Sequence, residues 1–191
     1  MNQLADAFEK AGLDEKDLTK MRSQEVMTAI IGILRGAVEL VVKTISFIAS
    51  TFTVMVDETI SVEEAVKDGK FDWSHENIDS TNFPKPDSGA KVEKEMALFH
   101  FGKGISSEGA IAQMDAEGYR PATIHEALAF AKAHPELQRQ FPIVALGSAT
   151  SVGGDRFVAG LYRRVAERGL DLLGFDDDVW VGSYRFLAVR K

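Results

Sequence analysis

The chain has 191 residues, of which 45% are hydrophobic and 27% charged. That is the balance of a soluble globular protein with one domain and an appendage, or two small domains. A net charge of −7 argues against nucleic-acid phosphates as the main partner, since their binding is driven by Lys and Arg. With no cysteine in the sequence, disulfides, thiolate metal sites and cysteine catalysis are excluded.

The first residues, MNQLADAFEKAGLDEKD, have no basic stretch followed by an apolar one, so no secretory signal is expected. Leu4, Ala7, Phe8 and Ala11 share one face and Gly12 follows as a stop, the pattern of a short amphipathic helix. Gln24 to Ser50 is the most apolar segment. Its longest uncharged run, Thr44 to Val56, is shorter than the roughly 18 residues of a membrane span, so a membrane role is not expected. Arg35, Glu39 and Lys43 recur every four residues and form one narrow polar stripe. The apolar remainder of such a helix is buried, either on its own domain or against a second copy as an oligomerisation face.

Phe52 to Val56 is a strand candidate, being rich in β-formers. Ser61 and Glu64 form a capping box that opens a helix over Val62 to Lys67, with Gly69 as its stop. Asp72 to Ala90 carries Pro84, Pro86 and Gly89 and shows no period. Lys91 to Phe101 alternates and reads as a strand entering the core. Ser106 or Ser107 caps a helix that Gly118 closes, and Thr123 with Glu126 is a second capping box. Pro135 and Pro142 bracket a short connection before the strand Ile143 to Leu146.

From Gly147 to Lys191 the chain is cut by Gly153-Gly154, Gly160, Gly169, Gly174 and Gly182. This predicts short strands separated by turns. Between them stand Tyr162, Arg163, Arg164, Glu167, Asp176, Asp177, Asp178 and Trp180. Two readings stay open for these residues: a binding surface braced by strands, or ordinary solvated loops. His75, His100, His125 and His134 are dispersed without metal-ligand spacing, and no GxSxG, phosphate-binding loop or GxGxxG is present. Asp176-Asp177-Asp178 is either a solvated turn or a source of calcium ligands. No metal, cofactor or enzymatic activity is therefore expected.

Residues 107–130, SEGAIAQMDAEGYRPATIHEALAF, include the turn Gly118-Tyr119-Arg120-Pro121-Ala122-Thr123 between two helices, and the chain closes on RFLAVRK. These stretches resemble formylglycine-generating-enzyme-like C-type lectin folds, although Pro121 sits one place early and no Trp follows. The region from Lys91 to Lys191 is similar to bacterial or phage-associated variable proteins, the targets of diversity-generating retroelements. The resemblance does not reach residues 1–50, whose apolar periodicity reads as a helical N-terminal module; for residues 51–191 it implies an α+β, C-type lectin-like domain with short antiparallel strands and two helices. It implies a non-enzymatic protein whose segment 147–191 presents a diversifiable surface to an unknown protein or other macromolecule. With no secretory signal seen, the location is left open between cytoplasmic and virion-associated. The framework would comprise Leu146-Gly147-Ser148, Arg156-Phe157, Leu161, Leu170, Leu172, Phe175, Trp180 and Arg185 to Lys191. The ligand-binding positions would be Ala149, Ser151, Val152, Asp155, Tyr162, Arg163, Arg164, Val165, Asp171, Asp176, Asp177, Asp178, Val181 and Tyr184. Tyr162, Arg163, Asp176, Asp177 and Tyr184 are expected on one contiguous patch. The rival readings are an assembly protein that oligomerises through residues 24–50, and an enzyme on the same fold.

Overall fold

A computed structural model describes residues 31, 47–176 and 179–191. The chain divides into two units, Met1–Ser46 and Phe47–Lys191, and the fold below is that of the second. The amphipathic helix expected at Leu4 to Ala11 lies outside the described residues, as do Asp177 and Asp178. Of the apolar segment Gln24 to Ser50, Ile31 is helical, but Ile48, Ala49 and Ser50 are strand. The helix expected to reach residue 50 is thus replaced by strand at Ile48–Ser50, where the backbone pairs with Phe99 and Leu98. No helix among the described residues is long and apolar enough to cross a membrane.

The described part of this unit is mixed α/β, with eight strands in one sheet and four helices. In chain order these are β1 (Ile48–Asp57), α1 (Val62–Gly69), β2 (Trp73–Ser74), β3 (Lys91–Phe99), α2 (Ser107–Ala116), β4 (Tyr119–Pro121), α3 (Ile124–Ala133), α4 (Leu137–Gln140), β5 (Ile143–Val152), β6 (Asp155–Arg164), β7 (Glu167–Gly174) and β8 (Arg185–Arg190). Both capping boxes are formed: Ser61 with Glu64 starts α1, and Thr123 with Glu126 starts α3. Ser106 caps α2 by accepting from Gly109 N. The left-handed residue that ends α1 is Lys70, one place after Gly69.

The sheet order is β1-β3-β8-β5-β6-β7-β2, with β4 also paired to β8. The last strand, β8, is central. It runs antiparallel to β3 and β4 and parallel to the start of β5. The tail folds differently from the short pieces expected: β5 and β6 are ten residues each and β7 is eight. Gly160 and Gly169 lie inside strands rather than between them. The real break is Gly153-Gly154, whose φ values of 65° and 101° suit the two-residue hairpin joining β5 to β6.

The middle of this sheet is buried on both faces, so β3, β8, β5 and β6 alternate between two cores. Val54, Met96, Ile143, Leu161, Leu170 and Leu187 face one cluster, completed by Val62 of α1 and by Leu128 and Phe130 of α3. Ala97, Phe99, Val144, Val158, Phe186 and Ala188 face the other, completed by Met114 of α2, Phe175 and Trp180. Ser107, only 1% exposed, ties that second cluster to the loop after β7. Its hydroxyl donates to Phe175 O at 2.6 Å and accepts from Trp180 Nε1 at 2.8 Å.

Two buried charges fix the helices to the sheet. Glu126, with no exposure, accepts from Arg120 at 2.6 and 2.9 Å, from Lys94 at 2.8 Å and from Thr123 N at 2.7 Å. Lys94 also reaches Glu58 at 2.5 Å. Burial pushes the Glu126 pKa up, but the bonds from Arg120 and Lys94 outweigh it and hold the value at about 2, against 4.5 ordinarily. Arg168 on β7 donates to Gly69 O at 2.8 Å, Ala131 O at 2.9 Å and Gln138 Oε1 at 3.0 and 3.2 Å. It joins the ends of α1 and α3 to α4.

Two predictions follow from these charges. Replacing Arg168 with Met strands those carbonyl oxygens without a donor and should cost about 3–5 kcal/mol, read as a fall in the denaturant midpoint. The depressed pKa of Glu126 makes its contribution complete above pH 4.5 and lost as pH falls toward 2. The loss should amount to about 3 kcal/mol. A carboxyl NMR titration should place the Glu126 transition near pH 2, and a transition in the ordinary carboxylate range would remove the argument.

Candidate functional site

The β6–β7 hairpin builds one open groove. Tyr162 pairs with Gly169, Gly160 with Asp171, and Val158 with Leu173. These pairs put Tyr162, Asp171 and Leu173 on one face, with the two glycines between them. A Cβ at Gly169 would lie 2.7 Å from the Tyr162 ring, and one at Gly160 would lie 2.3 Å from Leu173 Cδ1. The large side chains therefore lie flat across bare backbone, an arrangement only glycine permits. Tyr184, at the approach to β8, completes the face and packs edge-on against Trp180 with ring centroids 5.3 Å apart.

The wall comes from α4 and the two residues after it. Gln138, Arg139, Gln140, Phe141 and Pro142 enclose a cavity of about 450 Å³ together with Tyr162, Arg163, Asp171, Leu173 and Tyr184. That is within the range of ligand pockets, roughly 300–1,000 Å³. Gln138 is 2% exposed and braces the floor from beneath. Its amide donates to Tyr162 O at 2.9 Å and to Gly169 O at 3.0 Å, while its oxygen accepts from Arg168.

The polar groups of the groove differ in how far they are committed. Arg139 donates to Ala166 O, which ties the wall to the hairpin turn. Arg185 lies over the Phe141 ring at 4.7 Å. Asp171 accepts from Leu172 N at 2.9 Å. Burial raises the Tyr162 pKa, and the nearby Asp171 carboxylate raises it further. The guanidinium of Arg163 makes no hydrogen bond or ion pair with the described residues and is exposed to solvent. The site thus presents flat aromatic and apolar surface beside a cation available to a ligand.

Four residues expected at the site, Tyr162, Arg163, Asp171 and Tyr184, meet in this groove. The others stand elsewhere. Ala149, Ser151, Val152 and Asp155 surround the β5–β6 turn at the opposite end of β6. Asp176 belongs to that end too, paired with Arg156, which also stacks over Phe175 at 4.3 Å. The single patch expected for Tyr162, Arg163, Asp176 and Tyr184 is therefore split, because a ten-residue strand spans about 30 Å. Arg164 ends β6 and pairs with Glu167, Val165 forms the exposed β6–β7 turn with Ala166, and Val181 is 60% exposed ahead of Tyr184. Of the expected framework, Leu161, Phe175, Trp180 and Phe186 are buried, while Phe157 and Leu172 are half-buried.

Sequence reasoning missed the whole wall, Gln138 to Pro142, because it lay in what read as a connection between prolines. A run of amide, arginine and aromatic residues there, QRQF, was the available signal. Among the described residues no group of three or more His, Asp or Glu is placed to hold a metal ion.

Val165 combines 89% exposure with a φ of 58°. A β-branched residue in the left-handed region is strained, at a cost of about 1–3 kcal/mol. Val165→Gly should therefore raise stability by about 1 kcal/mol, seen as a higher denaturant midpoint. An unchanged or lower midpoint would mean the turn carries no such strain.

Set against protein-family models, curated proteins and solved structures, the chain matches none of them.

Proposed function

We propose that this chain is a non-enzymatic ligand-binding protein: a C-type lectin-like domain, related to the variable proteins of diversity-generating retroelements, that presents a binding surface from residues 147–191. The observation that carries this reading is the groove, where Tyr162, Arg163, Asp171 and Tyr184 converge from separate strands and the loop before β8. A buried polar brace beneath holds those positions in place. Tyrosine and arginine on a rigid support are the residues that dominate binding energy at recognition surfaces. The second group, about the Gly153-Gly154 turn, forms a separate rim of exposed Ala149, Ser151 and Asp155 with half-buried Val152. Such positions accept substitution at about 0.5 kcal/mol or less, whereas Trp180 and Phe186 do not.

The ligand suited to the groove is an anionic group joined to a flat or apolar one. Arg163 supplies the charge, and Phe141, Tyr162 and Tyr184 supply the surface.

The experiment is to sequence this gene from many individuals of one population and to read the flanking DNA. Substitutions are expected to gather at Ala149, Ser151, Tyr162, Arg163, Asp171 and Tyr184, with Leu161, Trp180 and Phe186 invariant. A reverse-transcriptase gene and a template repeat are expected nearby. Equal variation of both groups, or neither gene feature, would overturn the reading.

A further inference from the structure

The edge of the sheet opposite β2 offers a second site. β1 is the terminal strand and pairs on one side only, with β3. On the other side no backbone group from Thr51 to Val56 has a partner among the described residues. The irregularity in this pairing is confined to Ile48/Ser50, so the edge beyond it is regular. From Thr51 to Val56 it carries no charge and no proline, and Thr51, Thr53 and Met55 are exposed. Edges that must stay unpaired are commonly blunted by Lys, Pro or a bulge, and this stretch has none of them.

Beside that edge lies a cavity of about 480 Å³, lined by Met55 and Asp57 of β1, Ala65 of α1, and His125, Leu128 and Lys132 of α3, among others. Its lining is mixed, with apolar Met55, Ala65 and Leu128 beside charged residues and His125. The charges at its rim are already paired, Lys91 with Asp57 at 3.8 Å and Lys132 with Asp68 at 2.7 Å, so it prefers neither sign of ligand. His125 is 3% exposed, and its Nε2 has no hydrogen-bond partner. A buried polar atom left alone is destabilising, so a partner that satisfies it gains affinity.

We propose that β1 and this cavity together bind an extended, uncharged peptide segment of a partner protein, which adds as a further strand on β1, seats an apolar side chain over Leu128 and meets His125 with a hydrogen-bonding side chain. A row of main-chain donors and acceptors is matched in spacing by another extended main chain. A second copy of this chain fits less well. Its own β1 would satisfy the edge, but Val54 and Val56 are 2% and 0% exposed in their own core and have nothing to place in the cavity. A separate peptide brings its own side chains.

The test uses the full chain as bait for phage displaying random nonapeptides. Selection is expected to enrich uncharged, β-forming sequences with an apolar residue close to a Ser, Thr, Asn or Gln. Met55→Lys places a charge on an exposed edge position. It should weaken a selected peptide about tenfold or more while leaving the melting temperature unchanged. The same peptide should slow amide exchange in Thr51 to Val56. The proposal fails if nothing is enriched, if the selected peptides protect the Tyr162–Leu173 groove instead, or if the chain is a dimer that Met55→Lys dissociates.

Discussion

The guanidinium of Arg168 is the contact on which the domain depends. It is a cation 6% exposed with no carboxylate bonded to it; its acceptors are Gly69 O, Lys70 O, Ala131 O and Gln138 Oε1. Gly69 is the last residue of α1 and Ala131 lies in the last turn of α3. Helix C-termini present unsatisfied carbonyls and the negative end of the macrodipole. Two helix ends therefore take the place of a counter-ion, and the Phe71 ring, 5.0 Å away, adds its electron-rich face. Burial still lowers the Arg168 pKa, but the side chain stays charged because all its donor nitrogens are occupied. A lysine could not do this, since it lacks the planar fork that reaches three elements at once.

The same side chain orients the groove. Gln138 accepts from Arg168 with its oxygen, and its nitrogen then points at Tyr162 O and Gly169 O. The amide orientation is fixed by these partners. Floor, wall and helix ends are thus one connected polar system inside an otherwise apolar layer. Such a system is stable only when every member is satisfied.

How much of this was legible in the sequence depends on how local each signal is. The capping boxes of α1 and α3 are four-residue patterns with one geometric meaning, and both form. The strand at Lys91 announced itself by alternation. β6 and β7 did not, because burial on both faces erases alternation, and Gly160 and Gly169 look like breaks until their cross-strand partners are known. Arg168 carried no signal in the sequence, since its acceptor Gly69 O is 99 positions away. Within the candidate site, Tyr162 and Arg163 were visible by type, whereas α4 was hidden by its length of four residues. The division of the expected surface into two ends of β6 followed from strand length, which the glycines had concealed.

Tyr162 and Gly169 occupy one shared volume, since the ring of the first stands where a side chain of the second would be. The two positions are therefore coupled in any lineage of this protein. A bulky residue at 162 requires glycine at 169. A small residue at 162 uncovers the strand backbone and rewards a side chain at 169. Among relatives, the sizes at these two sites should be anticorrelated. Diversification that reaches only 162 would be biased toward aromatic replacements by the glycine it cannot change.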